Sequence, residues 1–204
     1  MQLSNSKFNI SGLSISARCT LVVGIAALWL FISPLNGLAQ GLIPIDRGSK
    51  VELTMTQGTG DDIKKLKGNF GSMYGLIQFD PTHLEQSSLD ISFNTNTLRT
   101  HDKGDEFRLK SREFLDAAKY PTLTIRSTSI TQDRPGGIVY ILKGTLTIKG
   151  VTRPTRIQFT ATKSGSGYLF MGLMQFKRLD FGMGEKGEFD DNVSVFLQVN
   201  SEKK

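Results

Sequence analysis

Cysteine and histidine are almost missing from this chain. Its 204 residues include one cysteine and two histidines. A single cysteine cannot form a disulfide within its own chain, and it cannot build a cysteine-based zinc site. We therefore expect no metal site and no cofactor. The fold must depend on its apolar core and on strand pairing.

Acidic residues are missing from the start of the chain, where the first is Asp46. Lys7 and Arg18 precede an uninterrupted apolar run at 21–32, and small residues lead up to Ala39. The run is shorter than the roughly 20 residues of a membrane-spanning helix and is typical of a secretory signal peptide. We predict that residues 1–39 are removed near Ala39 and that residues 40–204 form one exported domain, periplasmic or secreted. An uncleaved membrane anchor is the alternative.

Apolar residues at helical spacing are also scarce. Instead, apolar and polar residues alternate with period two along residues 49–200. Leu89, Ile91 and Phe93 alternate with polar residues, as do Val193, Val195, Leu197 and Val199. Turn sequences separate these runs, so the pattern predicts an all-β domain of antiparallel strands, either a sandwich or a closed barrel. Helical spacing in Asp105–Ala118, which Pro121 ends, predicts one short helix in a connection.

One predicted strand departs from simple alternation. Residues 168–176 are apolar on both faces. A strand with one face in water does not need this pattern. Either one face packs beneath the helical segment or one face lines an apolar cavity.

Residue types that carry chemistry are sparse and scattered. His83 and His101 lie in separate predicted loops, where surface positions are more common than catalytic ones. The glycines of Gly182-x-Gly184-x-x-Gly187 match a dinucleotide-binding pattern by letter, but a strand rather than a helix is predicted to follow them. We interpret them as loop glycines and predict a protein that is not an enzyme.

Charged clusters are small. The acidic pairs Asp61-Asp62 and Asp190-Asp191 follow no calcium-loop spacing and are interpreted as solvated turns. Lys64, Lys65 and Lys67 form a basic patch that could approach an anionic membrane surface. Because aromatic residues are not interleaved with it, we expect no nucleic-acid partner.

Several motifs, taken in order, resemble the YceI family of exported lipid-binding proteins. The matching stretches are Gly68-x-Phe70 and Phe79-Asp80-Pro81, then Leu109-Lys110-Ser111 with Lys119-Tyr120-Pro121, then Gly144 to Pro154, and finally Lys177 to Met183. The resemblance covers about residues 45–200. It implies a single lipocalin-like antiparallel β-barrel of about eight strands with an elongated apolar interior.

The resemblance also implies a ligand: a long isoprenoid lipid, such as a quinone tail or prenyl alcohol, bound without catalysis. Candidate lining residues are Leu53, Met55, Phe70, Ile77, Phe93, Phe114, Leu142, Leu146, Phe170 and Met174. Arg178 and Asp180 are interpreted as residues that hold a loop to the barrel rim. The chain has Arg108 where many members have histidine, so no contact to a lipid head group is carried over.

Two other functions remain open from the sequence. An isomerase or cyclase acting on an apolar substrate would need a titratable group in its pocket. His101, Asp102, Asp105 and Glu106 are the candidates for that group. A barrel filled by its own side chains, acting as an envelope stress protein, is the third possibility. The oligomeric state is left open.

Overall fold

The computed structural model describes residues 41–58, 63–187 and 189–203. Strands and turns dominate this part of the chain, so the predicted all-β class is confirmed. The strands are β1 (Gly41–Gln57), β2 (Lys64–Phe70), β3 (Met73–Gln78), β4 (Ser88–Asn94), β5 (Arg99–Thr100), β6 (Thr122–Gln132), β7 (Val139–Ile148), β8 (Val151–Ser164), β9 (Gly167–Lys177) and β10 (Asn192–Lys203). The predicted signal peptide and Asp61-Asp62 lie outside the described residues.

The sheet closes into an antiparallel barrel, which decides between the two predicted architectures. Neighbouring strands follow the order β10-β9-β8-β7-β6-β4-β3-β1, and β10 pairs back onto β1. β2 and β3 pair in succession with the two halves of β1, so together they take one of the eight positions around the barrel. The two-residue β5 pairs with β2 outside this ring.

Alternating apolar residues point into the barrel, as the period-two pattern predicted. Leu53 and Met55 on β1 are buried, and so are Ile91 on β4 and Val195 on β10. In antiparallel pairs the residues opposite each other share a face, and Leu53 lies opposite Val195 in the register. The buried faces of all eight positions therefore meet in one core.

The first half of β1 was not anticipated by the alternation that begins near residue 49. Residues 42–45 pair with the end of β10, and the register then shifts between Ile45 and Lys50. Pro44 and Gly48, residues that weaken strand patterns, fall in and next to this stretch. Gly48 has a φ of +77°, which an irregularity of this kind requires.

The one α-helix of the described residues, α1 (Lys103–Lys110), lies in the connection between β5 and β6. The prediction of one short helix there is confirmed, but the helix begins and ends earlier than the 105–118 spacing indicated. Asp102 caps its first turn by accepting a hydrogen bond from the amide of Asp105 at 3.0 Å. The chain leaves helical geometry at Ser111, and a series of hydrogen-bonded turns continues to Tyr120.

The two-sided apolar strand is β9. Its inward side chains Phe170 and Met174 are buried. Its outward side chains Met171 and Leu173 are 41% and 65% exposed. Of the two alternatives, packing beneath the helical segment is therefore excluded for the outer face of β9, which is open to solvent.

Candidate functional site

Two apolar cavities lie inside the barrel. The first has a volume of about 20 Å³ and is lined by Val51, Leu53, Phe70, Phe93, Leu115, Leu123, Ile125, Ile148, Met174, Phe176, Met183, Val193, Val195 and Leu197. The second, of about 40 Å³, is lined by Leu89, Ile91, Phe93, Ile125, Leu142, Ile157, Phe159, Phe170, Gly172, Leu197 and Val199. Every lining side chain is apolar, so the interior can offer a ligand only hydrophobic contact.

Three residues line both cavities: Phe93 on β4, Ile125 on β6 and Leu197 on β10. We call this set the waist. Phe93 also stacks at a tilt against Phe70, with ring centroids 6.0 Å apart. Movement of the waist side chains would join the two cavities into one elongated space.

The ten candidate lining residues are all buried, but they divide into two groups. Leu53, Phe70, Phe93, Leu142, Phe170 and Met174 line one or both cavities. Met55, Ile77, Phe114 and Leu146 are buried in the surrounding core and line neither cavity. Ile125 and Leu197 were not among the candidates, although both stand at inward positions of alternating runs in the sequence.

One end of the barrel, here called the aromatic end, is filled by five rings. Phe79, just after β3, lies 5.2 Å from Tyr140, 5.2 Å from Tyr168 and 5.3 Å from Phe170 between ring centroids. All three contacts are edge-to-face, and Phe159 joins the cluster at 6.2 Å. Edge-to-face geometry is favourable for aromatic pairs, so this end is closed by a well-packed plug.

The opposite end, here called the capped end, is covered by residues 103–121 and by the described residues of the second segment, 178–187 and 189–191. Arg178, at the start of the second segment, is fully buried. Its guanidinium donates hydrogen bonds to the carbonyls of Met183, Glu185 and Phe189 at 2.7, 2.7 and 2.8 Å, and to that of Asp190 at 3.2 Å. Arg178 thus holds this loop together from within, rather than tying it to the barrel rim as predicted, and Asp180 is exposed.

Lys149, in the β7–β8 turn, joins the two covering segments. Its ammonium donates to the carbonyl of Gly182 at 2.8 Å and to that of Glu113 at 3.3 Å. The amide of Gly184 also donates to the carbonyl of Glu113, at 2.9 Å. Gly182 and Gly184 have φ of +63° and +67°, so these glycines serve a loop, as interpreted from the sequence.

The titratable residues considered for an enzyme lie on and before α1. Glu106 pairs with Lys110 at 3.0 Å and with Lys103 at 3.2 Å, and these hydrogen bonds lower its pKa to about 2. The backbone amides of Asp105 and Gly104 lower the pKa of Asp102. Both cavities are lined without the four candidates. Asp102 caps the helix, and Asp105 and Glu106 take part in surface ion pairs.

Other charged groups are paired locally. The hydroxyl and amide of Thr82 lower the pKa of Asp80 to about 2, and His83 lies 3.2 Å from the same carboxylate. Asp190 accepts hydrogen bonds from Asn192, as expected for a turn. In the basic patch predicted to approach a membrane, Lys64 contacts Asp105 at 3.5 Å and Lys67 contacts Glu52 at 3.2 Å.

Two features are missing from the described part of the chain. No group of three or more His, Cys, Asp or Glu side chains is placed to hold a metal ion there. No helix there is long and apolar enough to span a membrane.

Curated proteins similar to this chain come from several bacteria. A UPF0312 protein of Shewanella denitrificans is 30% identical over 143 residues, which cover 67% of this chain and 74% of that protein. A UPF0312 protein of Yersinia enterocolitica is 31% identical over 141 residues, covering 66% and 72% of the two chains.

Solved structures share the fold. BcnA of Burkholderia cenocepacia superimposes with a TM-score of 0.68 at 24% identity, covering 76% of this chain and 98% of that one. The YCEI protein of Campylobacter jejuni gives 0.61 at 22% identity, covering 72% and 91%. Residues 45–201 match the YceI-like domain family. The chain therefore belongs to the YceI-like family, with the barrel that its motifs indicated.

Proposed function

We propose that this protein binds an isoprenoid-type lipid, a quinone tail or prenyl chain, inside the barrel and carries or sequesters it in the cell envelope without catalysis. The observation that carries the proposal is the interior itself, whose two cavities are lined only by apolar side chains. A ligand held there must be apolar along its length. The family's association with polyisoprenoid chains supports the same class of ligand.

The shape of the interior favours a slender chain. The two cavities are arranged one beyond the other, with the waist residues Phe93, Ile125 and Leu197 between them. Their volumes of about 20 and 40 Å³ hold no more than a few water molecules. A lipid must therefore move the waist side chains, as well as the flexible thioethers of Met174 and Met183.

Burial of apolar surface supplies the driving force. At ~0.8 kcal/mol for each buried methylene-sized group, one five-carbon isoprene unit contributes roughly 3–4 kcal/mol. Ordering the chain and repacking the waist reduce this gain. Since no lining group is polar, the length and branching of the chain decide affinity more than its head group does.

Extraction tests the proposal. The protein is purified from its own host under mild conditions, denatured in organic solvent, and its extract is analysed by mass spectrometry. In parallel, stripped and refolded protein is incubated with vesicles containing decaprenyl ubiquinone. We expect a prenyl lipid in the extract or uptake from the vesicles. A folded preparation that neither retains nor takes up a prenyl lipid would show that the proposal is wrong.

A further inference from the structure

β8 and β9 are paired along only part of their length. The register runs from Ser164 opposite Gly167 to Gln158 opposite Leu173, and there it stops. β8 nevertheless begins at Val151 and β9 continues to Lys177, each bonded to its other neighbour. The two strands therefore part toward the capped end, and we call this divergence the split. Pro154 lies in the part of β8 that is paired with β7 but not with β9, and such a free strand edge is a typical position for proline.

A groove lies on the outer surface over the split. It has a volume of about 440 Å³, and Arg156, Gln158, Leu173 and Gln175 are among its lining residues. Met174, only 3% exposed, lines this groove and also the first interior cavity. Met174 thus borders both the outer groove and the apolar interior.

A second groove continues along the paired part of β8 and β9. Its volume is about 240 Å³, and Phe159 and Gly172 line both this groove and the second interior cavity. Gly172 takes an inward position and has no side chain to thicken the wall. The barrel wall is therefore thin along this strand pair, next to both cavities.

The two ends of the barrel are closed more firmly than the split. The aromatic end has Phe79 at the centre of its plug, and the capped end has the four carbonyl hydrogen bonds of Arg178. Passage through the capped end must also break the hydrogen bonds that join its two covering segments, from Lys149 to Gly182 and Glu113 and from Gly184 to Glu113. Passage through the split needs Met174 to rotate. The edges of β8 and β9 that border the split have to move further apart, but no backbone pairing between them has to be broken.

The surface around the split carries both basic and exposed apolar side chains. No acidic residue occurs in the sequence from Arg134 to Leu179, which includes all of β7, β8 and β9. Lys143 and Arg156 stand directly opposite each other on the outer face, and neither takes part in an ion pair among the described residues. Opposed like charges disfavour folding, so their juxtaposition suits a partner that supplies negative charge.

From these observations we propose that a lipid chain enters the barrel sideways through the split, from an anionic bilayer on which the outer face of β7–β9 rests. Leu173 and Met171 project from that face among the basic residues, a combination that suits the apolar and anionic layers of a membrane surface. Face-to-face pairing with a second copy would oppose like charges. The proposal rests on lipid binding in the interior.

Cross-linking the split tests this entry route. In a Cys19→Ser background, Arg156→Cys with Gln175→Cys places one thiol on each side of the split. Thr160→Cys with Met171→Cys is the matched control, because these residues are already paired opposite each other. A short bismaleimide links each pair, and uptake of decaprenyl ubiquinone is timed from phosphatidylcholine vesicles with and without phosphatidylglycerol.

Linking the split pair should slow uptake by about tenfold or more relative to the same variant before linking, while linking the control pair leaves the rate within about twofold. Equal rates before and after linking the split pair would overturn lateral entry and leave lipid binding intact. Failure of every unlinked protein to take up the quinone would instead overturn lipid binding, and lateral entry with it.

The lipid composition of the vesicles tests whether the outer face of β7–β9 rests on an anionic bilayer. Uptake should be faster from vesicles with phosphatidylglycerol, and Leu173→Glu should remove that difference, whereas Leu76→Glu on β3 should keep it. Equal uptake from both vesicle types would contradict the assignment of the face to an anionic bilayer. A dimer that is seen in analytical ultracentrifugation and is lost in Leu173→Glu would also contradict this assignment, because the face would then be the interface with a second copy of the chain.

Discussion

At the scale of single residues, the most informative side chain is the buried cation Arg178. Its charge is met by backbone carbonyls of residues 183–190, without a carboxylate among the contacts shown. Guanidinium is suited to this role because its planar fork presents several donors at once. The residue therefore shapes the loop of the capped end by satisfying carbonyls that would otherwise be buried without partners.

Replacement of Arg178 should strongly destabilise the fold. Arg178→Met leaves several buried carbonyls unsatisfied and should lower the free energy of unfolding by about 3 kcal/mol or more. Arg156→Met is the control, since that side chain is exposed and should change stability by about 0.5 kcal/mol or less. Urea unfolding followed by circular dichroism measures both. Similar stabilities for the two variants would contradict the role assigned to Arg178.

Phe79 offers a second comparison between chemically identical changes. Phe79→Ala removes the ring at the centre of the aromatic plug and should cost about 3–5 kcal/mol of unfolding free energy. Phe107→Ala removes a ring that is 79% exposed and should be nearly neutral. Thermal and urea unfolding of the pair check this. A small loss for Phe79→Ala would mean that the rings do not stabilise that end.

Asp80 should contribute to acid sensitivity. Its pKa falls from an ordinary value of 3.8 to about 2, chiefly because the Thr82 hydroxyl and amide donate to the carboxylate. The unfolded chain then binds more protons in this range, so this contribution to stability is present above pH 3.8 and is lost as the pH falls toward 2.

The carboxyl resonance of Asp80, followed by NMR titration, reports this pKa directly. Thr82→Val removes the hydroxyl donor and should raise the pKa toward its ordinary value, while Asp80→Asn should make the loss of stability at low pH shallower. An unchanged titration in Thr82→Val would contradict the assigned cause.

At the scale of elements, β7 and β8 carry an arrangement that favours binding over stability. Lys143→Glu turns an opposed pair of like charges into a pair of opposite charges with Arg156. The variant should gain about 0.2–1 kcal/mol of unfolding free energy and lose affinity for anionic vesicles. Arg112→Glu, in the turns that follow α1, is the control for net charge, because this exposed residue lies outside both this face and the basic patch of β2. Vesicle co-sedimentation that falls equally in both variants would point to overall charge rather than to this face.

The inward faces of the strands could be predicted from the sequence because alternation is a local property. Leu53, Ile91 and Val195 follow directly from it. The split between β8 and β9 could not be predicted, since the apolar letters of β9 say nothing about where its pairing ends. The plug escaped prediction for a similar reason: Phe79 lies outside any alternating run, and its four partners come from β7, β8 and β9.

At the scale of the whole molecule, family motifs indicated the barrel and its apolar interior, but packing decides how much space remains. Four of the candidate residues are as buried as the cavity residues and yet line neither cavity: Met55, Ile77, Phe114 and Leu146. Which buried side chain borders empty space depends on its neighbours across the barrel. Sequence alternation contains no such information.

The waist makes a prediction about chain length. Ile125→Phe enlarges a side chain that borders both cavities and should separate them more firmly. Uptake of decaprenyl ubiquinone should fall, whereas a one-isoprene quinone, whose short chain does not have to cross the waist, should be affected less. Ser129→Phe, which faces outward on the same strand, should change neither. Equal loss of both quinones would indicate general destabilisation instead.

The central claim is that a prenyl chain lies within the barrel, and a crystal structure of the protein loaded with decaprenyl ubiquinone tests it most directly. The account predicts continuous density for the chain between the strands, in contact with Phe93, Ile125 and Leu197, with both cavities joined. Density for the chain only on the outer face near Leu173, with the interior still filled by its own side chains, would contradict it.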